Sequence, residues 1–385
     1  MTLTSDALIE AALAATGLSD FGGDSFRDGL DRLTDALRRE AELSELGASI
    51  MEMRLQGLLE SRLRVQATVT AHPEIERQPV ATPIFIIGLP RTGTTALSNL
   101  LYADPAIRSL RMWESSSPVP PPEAATEHDD PRIAEARAGL EAMDQAFPLM
   151  KQLHFQDPNG PTECQDLLGM EFRTTHFDGM AVVPSYTQWA MSCDMTPAYE
   201  LHRRTLQLLQ WHCPPHQWHL KTPVHMLSLP ALDAVYPDAR FIWTHRDPAE
   251  VMGSVCSLIA YVRSWVSDQS SPGIGDEQTA IWAEALRRAM EFRDRSDPRR
   301  FTDVSFVELT TSPVATVVSA LDALGLGCDD DSRHAIGAWA EAHPPGAAGR
   351  HEFTLDDYGL TPTRVHDDFG FYLDRFGALA THRPR

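Results

Sequence analysis

Residues 83–95, Pro-Ile-Phe-Ile-Ile-Gly-Leu-Pro-Arg-Thr-Gly-Thr-Thr, restrict this chain to few folds. Ile84 to Ile87 is a short apolar run with no polar face. Such a strand is buried on both sides, which is the habit of parallel sheets. Gly88 and Gly93 bracket a tight turn. Beyond it Leu97, Leu100 and Leu101 recur at helical spacing, so a helix is predicted over 94–101. In a strand–turn–helix unit of this kind, successive backbone N–H groups converge with the positive end of the helix dipole. The result is an anion cradle suited to phosphate.

The alternation continues downstream. Trp218-His219-Leu220-Lys221 reads as a second strand, with a helix over 224–235. Arg240 to Thr244 reads as a third, with a helix over 249–266. Asp303 to Val307 reads as a fourth, followed by a helix over about 313–324. The prediction is an α/β fold, a P-loop-type parallel sheet of about five strands with helices on both faces. Residues 1–78 form a helical N-terminal region: Phe26, Leu30, Leu33 and Leu37 share one helical face, as do Leu55, Leu58, Leu59 and Leu63. Ser25 with Asp28 resembles a capping box. Residues 79–385 form the α/β domain. A helical insertion at about 115–212, opened by the proline-rich stretch 117–131, is expected to cover the site opposite the cradle.

Charge and cysteine usage narrow the function. The 385 residues carry a formal net charge of −21. Nucleic acid and anionic membranes should repel such a chain, so any anion must be held by a few local donors. No apolar run approaches the ~18 residues of a membrane span, and the N-terminus lacks the basic start of a signal peptide. Five cysteines without a C-x-x-C pair argue against a zinc cage or a disulfide framework and for a reducing, cytoplasmic setting. The N-terminal leucine stripe is a candidate homodimer surface.

The turn spells G-x-x-x-x-G followed by Thr94 and Thr95. A nucleotide-hydrolysing loop has lysine where Thr94 stands; here the cation is Arg91, inside the turn. A sulfuryl group carries less charge than a terminal phosphoryl, so its transfer needs neither that lysine nor a metal.

Ile86 to Thr95 resembles the 5′-phosphosulfate loop of the sulfotransferases, in the form of a bacterial branch similar to tyrosylprotein sulfotransferases. Arg246 and, eight residues on, Ser254 resemble the pair that binds the 3′-phosphate of 3′-phosphoadenylyl sulfate (PAPS) in that family. Leu220-Lys221-Thr222-Pro223 is similar to an element whose lysine faces the transferring sulfate, and Glu114 follows the first helix about where the tyrosylprotein enzymes place a catalytic glutamate. Asp303 to Leu309 looks like a family strand in which Phe306 replaces a tyrosine. The resemblance implies sulfuryl transfer from PAPS, leaving 3′-phosphoadenosine 5′-phosphate (PAP), to a hydroxyl or amine; the apolar composition suggests a small, hydrophobic acceptor such as a lipid, sterol or phenol. Pro90, Arg91, Thr92, Gly93, Thr94 and Thr95 would hold the 5′-phosphate, Arg246, Ser254 and Arg350 the 3′-phosphate, and Phe306 the adenine. Lys221 and Arg91 would neutralise charge on the sulfuryl oxygens. Glu114 is the first candidate for the base, ahead of Glu163, His154, His176 and His225. A P-loop kinase or ATPase and a non-catalytic nucleotide-binding protein are the alternatives.

Overall fold

A computed structural model describes residues 3–153, 156–213, 216–269, 271, 273–344 and 353–381. Five strands form one all-parallel sheet: β1 (Ile84–Gly88), β2 (Ile107–Ser109), β3 (Gln217–Lys221), β4 (Arg240–His245) and β5 (Phe301–Ser305). Their spatial order is β2-β3-β1-β4-β5. From β1 the chain goes out to the β2 edge, returns to β3 beside β1, then crosses to β4 on the other side. Ligands of open α/β sheets bind at such a reversal, at the carboxyl ends of the strands.

The strand side chains alternate between two cores because their period is two. Phe85, Ile87, Leu220, Phe241 and Trp243 enter one core, with helices Leu229–Val235, Pro248–Arg263 and Ile274–Arg295 packed nearby. Ile84, Ile86, Ile242 and Val304 enter the other, against Leu97 and Leu101 of helix Thr94–Tyr102 and Leu321 of helix Pro313–Ala323. Burial on both faces is what the unbroken apolar run of β1 demanded.

Several expectations are corrected. The fourth expected strand ends at Ser305, whose hydroxyl caps a new helix, Phe306–Thr311, by accepting from the Val307 N–H. Phe306 therefore opens a helix rather than continuing the strand. β2 was not foreseen. Ser25 is the first residue of its helix, not a cap, and Asp28 bonds Arg32 instead. The leucine stripe is not open to a dimer partner: Phe26, Leu30, Leu33 and Leu37 are buried in the chain's own core, together with Phe172 and Phe177 of the insertion. The five cysteines are free thiols.

Candidate active site

The cradle is built at the end of β1. Gly88 has φ 142°, and a Cβ there would lie 2.4 Å from the Thr244 hydroxyl. Gly93 has φ 89° and forms the N-cap of helix Thr94–Tyr102. Both conformations need glycine. Inside the turn the Thr92 hydroxyl is completely buried; it donates to the Leu89 carbonyl at 2.6 Å and meets the Thr244 hydroxyl at 2.6 Å. Thr92 thus ties the turn to β4, and its side chain cannot serve as a phosphate ligand. The N–H groups at the helix start have no carbonyl one turn back and are left for an anion.

Arg246 follows β4, and Ser254 lies in the helix after it. The two come together around Arg91. Arg91 donates from Nε to the Ser254 hydroxyl at 3.1 Å and from Nη1 to the Leu153 carbonyl at 2.9 Å. Arg246 donates from Nη1 to the Arg91 carbonyl at 3.0 Å and from Nε to Glu250 at 3.1 Å. Its guanidinium lies 4.2 Å over the Phe306 ring, a favourable cation–π position. Among the described residues Arg91 makes no ion pair. Burial and the neighbouring Arg246 pull its pKa below the ordinary value for arginine. A buried guanidinium beside a second one, without a carboxylate of its own, is stabilised by an incoming anion. Arg91 was expected beside the transferring group and is found on the Ser254 side of the cradle.

A second polar group stands at the end of β3. Lys221, only 2% exposed, donates to Glu163 at 3.0 Å and approaches the Thr95 hydroxyl at 3.5 Å. The other Glu163 oxygen accepts from the Thr222 hydroxyl at 3.2 Å. The Cys164 N–H bonds the Lys221 carbonyl at 2.9 Å, which ties the two segments backbone to backbone. Lys221 therefore stands between the cradle and a carboxylate.

Glu114 does not belong to this group. Its carboxylate is fully buried, accepting from Arg108 at 2.7 Å, from the Arg111 guanidinium at 2.6 Å and from the Arg111 N–H at 3.1 Å. It orders the start of helix Met112–Ser116 and does not line the cavity. A carboxylate enclosed by two guanidiniums away from the cavity has no acceptor hydroxyl within reach. His225 is equally enclosed: its ring meets the Tyr199 hydroxyl at 2.9 Å, and burial pushes its pKa well down. His176 does line the cavity, as a neutral imidazole whose pKa burial lowers to about 4. His154 and Arg350 lie outside the described residues.

The cradle, the Arg91–Arg246–Ser254 group and Glu163 open into one cavity of about 1470 Å³, and Lys221 lies behind its lining. Pro90, Arg91, Gly93, Thr94, Thr95, Arg246, Ser254 and Phe306 line it on the sheet side. Much of the rest of the lining is apolar, with Met143, Met150, Ile259, Val262, Trp265 and Trp282. Arg54 and Asp166, joined in an ion pair, Glu163, His176, Asp178 and Gln278 are among the remaining polar lining. Arg54 comes from the N-terminal helix Glu45–Ala71, a segment whose sequence offered no cluster of reactive groups. The described residues contain no group of three or more His, Cys, Asp or Glu side chains placed to hold a metal ion, and no described helix is long and apolar enough to cross a membrane.

Residues 83–330 match a family described as the sulfotransferase family. Over 320 residues the chain is 25% identical to the omega-hydroxy-beta-dihydromenaquinone-9 sulfotransferase Stf3 of Mycobacterium bovis, an alignment covering 82% of this chain and 77% of that protein. The crystal structure of sulfotransferase STF9 from Mycobacterium avium superposes with a TM-score of 0.91 at 31% identity, over 100% of this chain and 99% of that one. That of STF1 from Mycobacterium tuberculosis H37Rv gives 0.86 at 35% identity, over 96% and 98%.

Proposed function

Because this chain belongs to the sulfotransferase family, we propose that it transfers a sulfuryl group from PAPS to a hydroxyl of an apolar acceptor. The observation that carries the choice of donor is Arg91, a buried guanidinium next to Arg246 with no ion pair among the described residues. In a chain of net charge −21, a buried cation of this kind favours a polyanionic ligand such as PAPS. The cradle N–H groups at the start of helix Thr94–Tyr102 hold the 5′-phosphate. Arg246 and Ser254 take the 3′-phosphate. The Ser254 oxygen accepts from Arg91, so its own hydrogen remains to donate.

The donor supplies a sulfuryl group on a phosphate leaving group; the protein supplies position, charge and a proton acceptor. Lys221, beside Thr95, neutralises charge on the oxygen that leaves with the phosphate, and Arg91 adds positive charge from the Ser254 side. Glu163 takes the acceptor proton as the new O–S bond forms and the bond to the phosphate oxygen breaks. This assigns the base to Glu163 rather than Glu114, on the ground that Glu163 lines the cavity and touches Lys221. The wall of methionine and tryptophan favours an apolar acceptor body. The free thiols favour a reducing, cytoplasmic setting. The test is incubation with PAPS and a panel of apolar alcohols and phenols. PAP release that depends on the acceptor, with a sulfated product seen by mass spectrometry, is expected. PAPS breakdown at one rate with and without acceptors would contradict the reading.

A further inference from the structure

Arg246 is the first residue after β4, and what fixes its backbone lies far away in sequence. The preceding residue, His245, is completely buried. Its Nε2 lies 2.8 Å from Asp303 of β5, and its Nδ1 lies 2.9 Å from the Tyr372 hydroxyl on the C-terminal helix Gly370–Ala380. Arg293 grips both Asp303 oxygens, at 2.6 and 2.8 Å. A carboxylate can only accept, so the His245 proton sits on Nε2 and Nδ1 becomes the acceptor. Tyr372 must then donate to Nδ1, and its oxygen is left to accept. Arg246 is the next residue along the chain, so the bonds that fix the His245 ring also fix where the Arg246 backbone leaves β4. Each bond from Tyr372 through His245 to Asp303 has one direction, and neither can be reversed singly.

The packing around this relay is stiff. The His245 ring is stacked against Phe376 at 4.6 Å and Trp243 at 5.7 Å between centroids. The far end of the same helix holds the neighbouring strand: the Ser305 hydroxyl donates to the Leu379 carbonyl at 2.9 Å. Ser305 precedes Phe306, whose ring carries the Arg246 guanidinium. One helix therefore fastens both residues of the Arg246–Phe306 platform from behind without lining the cavity.

We infer that the C-terminal helix, through Tyr372 and the His245–Asp303–Arg293 relay, positions Arg246 and so sets the preference of the site for a 3′-phosphorylated nucleotide. This rests on the assignment of Arg246 to the 3′-phosphate. Tyr372 is a positioning residue that touches no substrate. Tyr372→Phe keeps the ring and its stacking and removes only the hydroxyl.

The experiment is calorimetric titration of wild type, Tyr372→Phe and Arg246→Ala with PAP and with adenosine 5′-phosphate, which differs by the 3′-phosphate alone. Tyr372→Phe should weaken PAP by about tenfold, as expected when one buried hydrogen bond of a positioning network is lost, and leave adenosine 5′-phosphate within about twofold. Equal weakening of both ligands, or no change for either, overturns the inference. Arg246→Ala separates the two levels. If it too fails to discriminate between the ligands, the 3′-phosphate assignment itself is wrong. If it discriminates and Tyr372→Phe does not, only the positioning role falls. Should Tyr372→Phe not fold, amide exchange on the wild-type chain decides: PAP should slow exchange in 370–376 more than adenosine 5′-phosphate does, and equal protection contradicts the inference.

Discussion

Glu163→Gln keeps the shape of the side chain and removes the carboxylate that touches Lys221. If Glu163 is the base, turnover falls by ~10²–10⁴, the usual contribution of a positioned proton acceptor. The geometry predicts a different outcome for binding. Two unit charges at the 3.0 Å of the Lys221–Glu163 contact attract with about 5 kcal/mol at an effective dielectric constant of ~20. Desolvation offsets most of that when the pair forms. Once the carboxylate is gone, the Lys221 charge is unbalanced at the cradle, so PAP should bind as tightly as before or more tightly. Stability should drop by about 1–3 kcal/mol, less than for a fully enclosed pair, because the Glu163 side chain is 17% exposed. The assay pairs initial rates at saturating PAPS with calorimetric PAP titration, using an aliphatic alcohol and 4-nitrophenol as acceptors. The rate loss should be smaller for the phenol, which ionises unaided. Near-normal turnover with intact PAP binding would move the proton to His176. A loss of PAP affinity in step with turnover would make Glu163 a structural partner of Lys221 and refute the mechanism.

Glu114→Gln should behave in the opposite way: it removes the more deeply buried of the two carboxylates that Arg108 and Arg111 share, leaving Glu127, and costs about 2 kcal/mol. The melting temperature drops while the folded fraction keeps its turnover, and a stable but inactive variant would restore Glu114 as the base. Gly93→Ala forces φ 89° on a residue whose Cβ would lie 2.9 Å from the Phe306 ring. PAP affinity should collapse, and unchanged affinity would remove the cradle from the account. Stability should also fall with acid. Burial holds His202 and His219 at about 3 and His176 at about 4, and lowers His225 strongly, whereas unfolded histidine titrates near 6.5. Below that pH the unfolded chain binds protons that the fold refuses. Stability is therefore lost as pH drops from about 6.5 toward 4. Asp178, raised by burial and by Glu277 to about 7, opposes this by keeping its proton in the fold. The histidines lowered by burial outnumber this one carboxylate, so the net slope is a loss of stability with acid, and equal urea midpoints at pH 7 and 5.5 would refute it.

What was legible in the sequence was what is local. The Ile84–Ile87 run, its glycines and the leucines of the next helix lie within about twenty residues, so strand, turn and helix could be read together. Arg246 and Ser254 were legible because one strand–helix unit carries both. β5 was placed two residues late, since Val304, Phe306 and Val307 prolong an apolar pattern that the Ser305 cap breaks. β2 has only Ile107, Arg108 and Ser109, too short to show a period. Glu114 misled because its distance from the cradle in sequence says nothing of Arg111, three residues back at the start of the same helix, and Arg108 of β2, which enclose its carboxylate. Arg54 and Trp282 were not foreseen at the cavity, because they sit on helices whose visible pattern is core packing; Trp265, also unforeseen, lies in the turn that follows helix Pro248–Arg263. Arg54 adjoins the leucine stripe at Leu55, a hint that only tertiary structure makes meaningful.

The most direct measurement of the central claim is the thermal stability of the intact protein titrated with PAP and, separately, with ATP and magnesium. A ligand bound only by the fold stabilises it by about 2.7 kcal/mol at a hundred times its dissociation constant. The account predicts a concentration-dependent rise in melting temperature with PAP and none with ATP and magnesium at the same concentrations. Stabilisation by ATP and magnesium without PAP, or by neither, would contradict it.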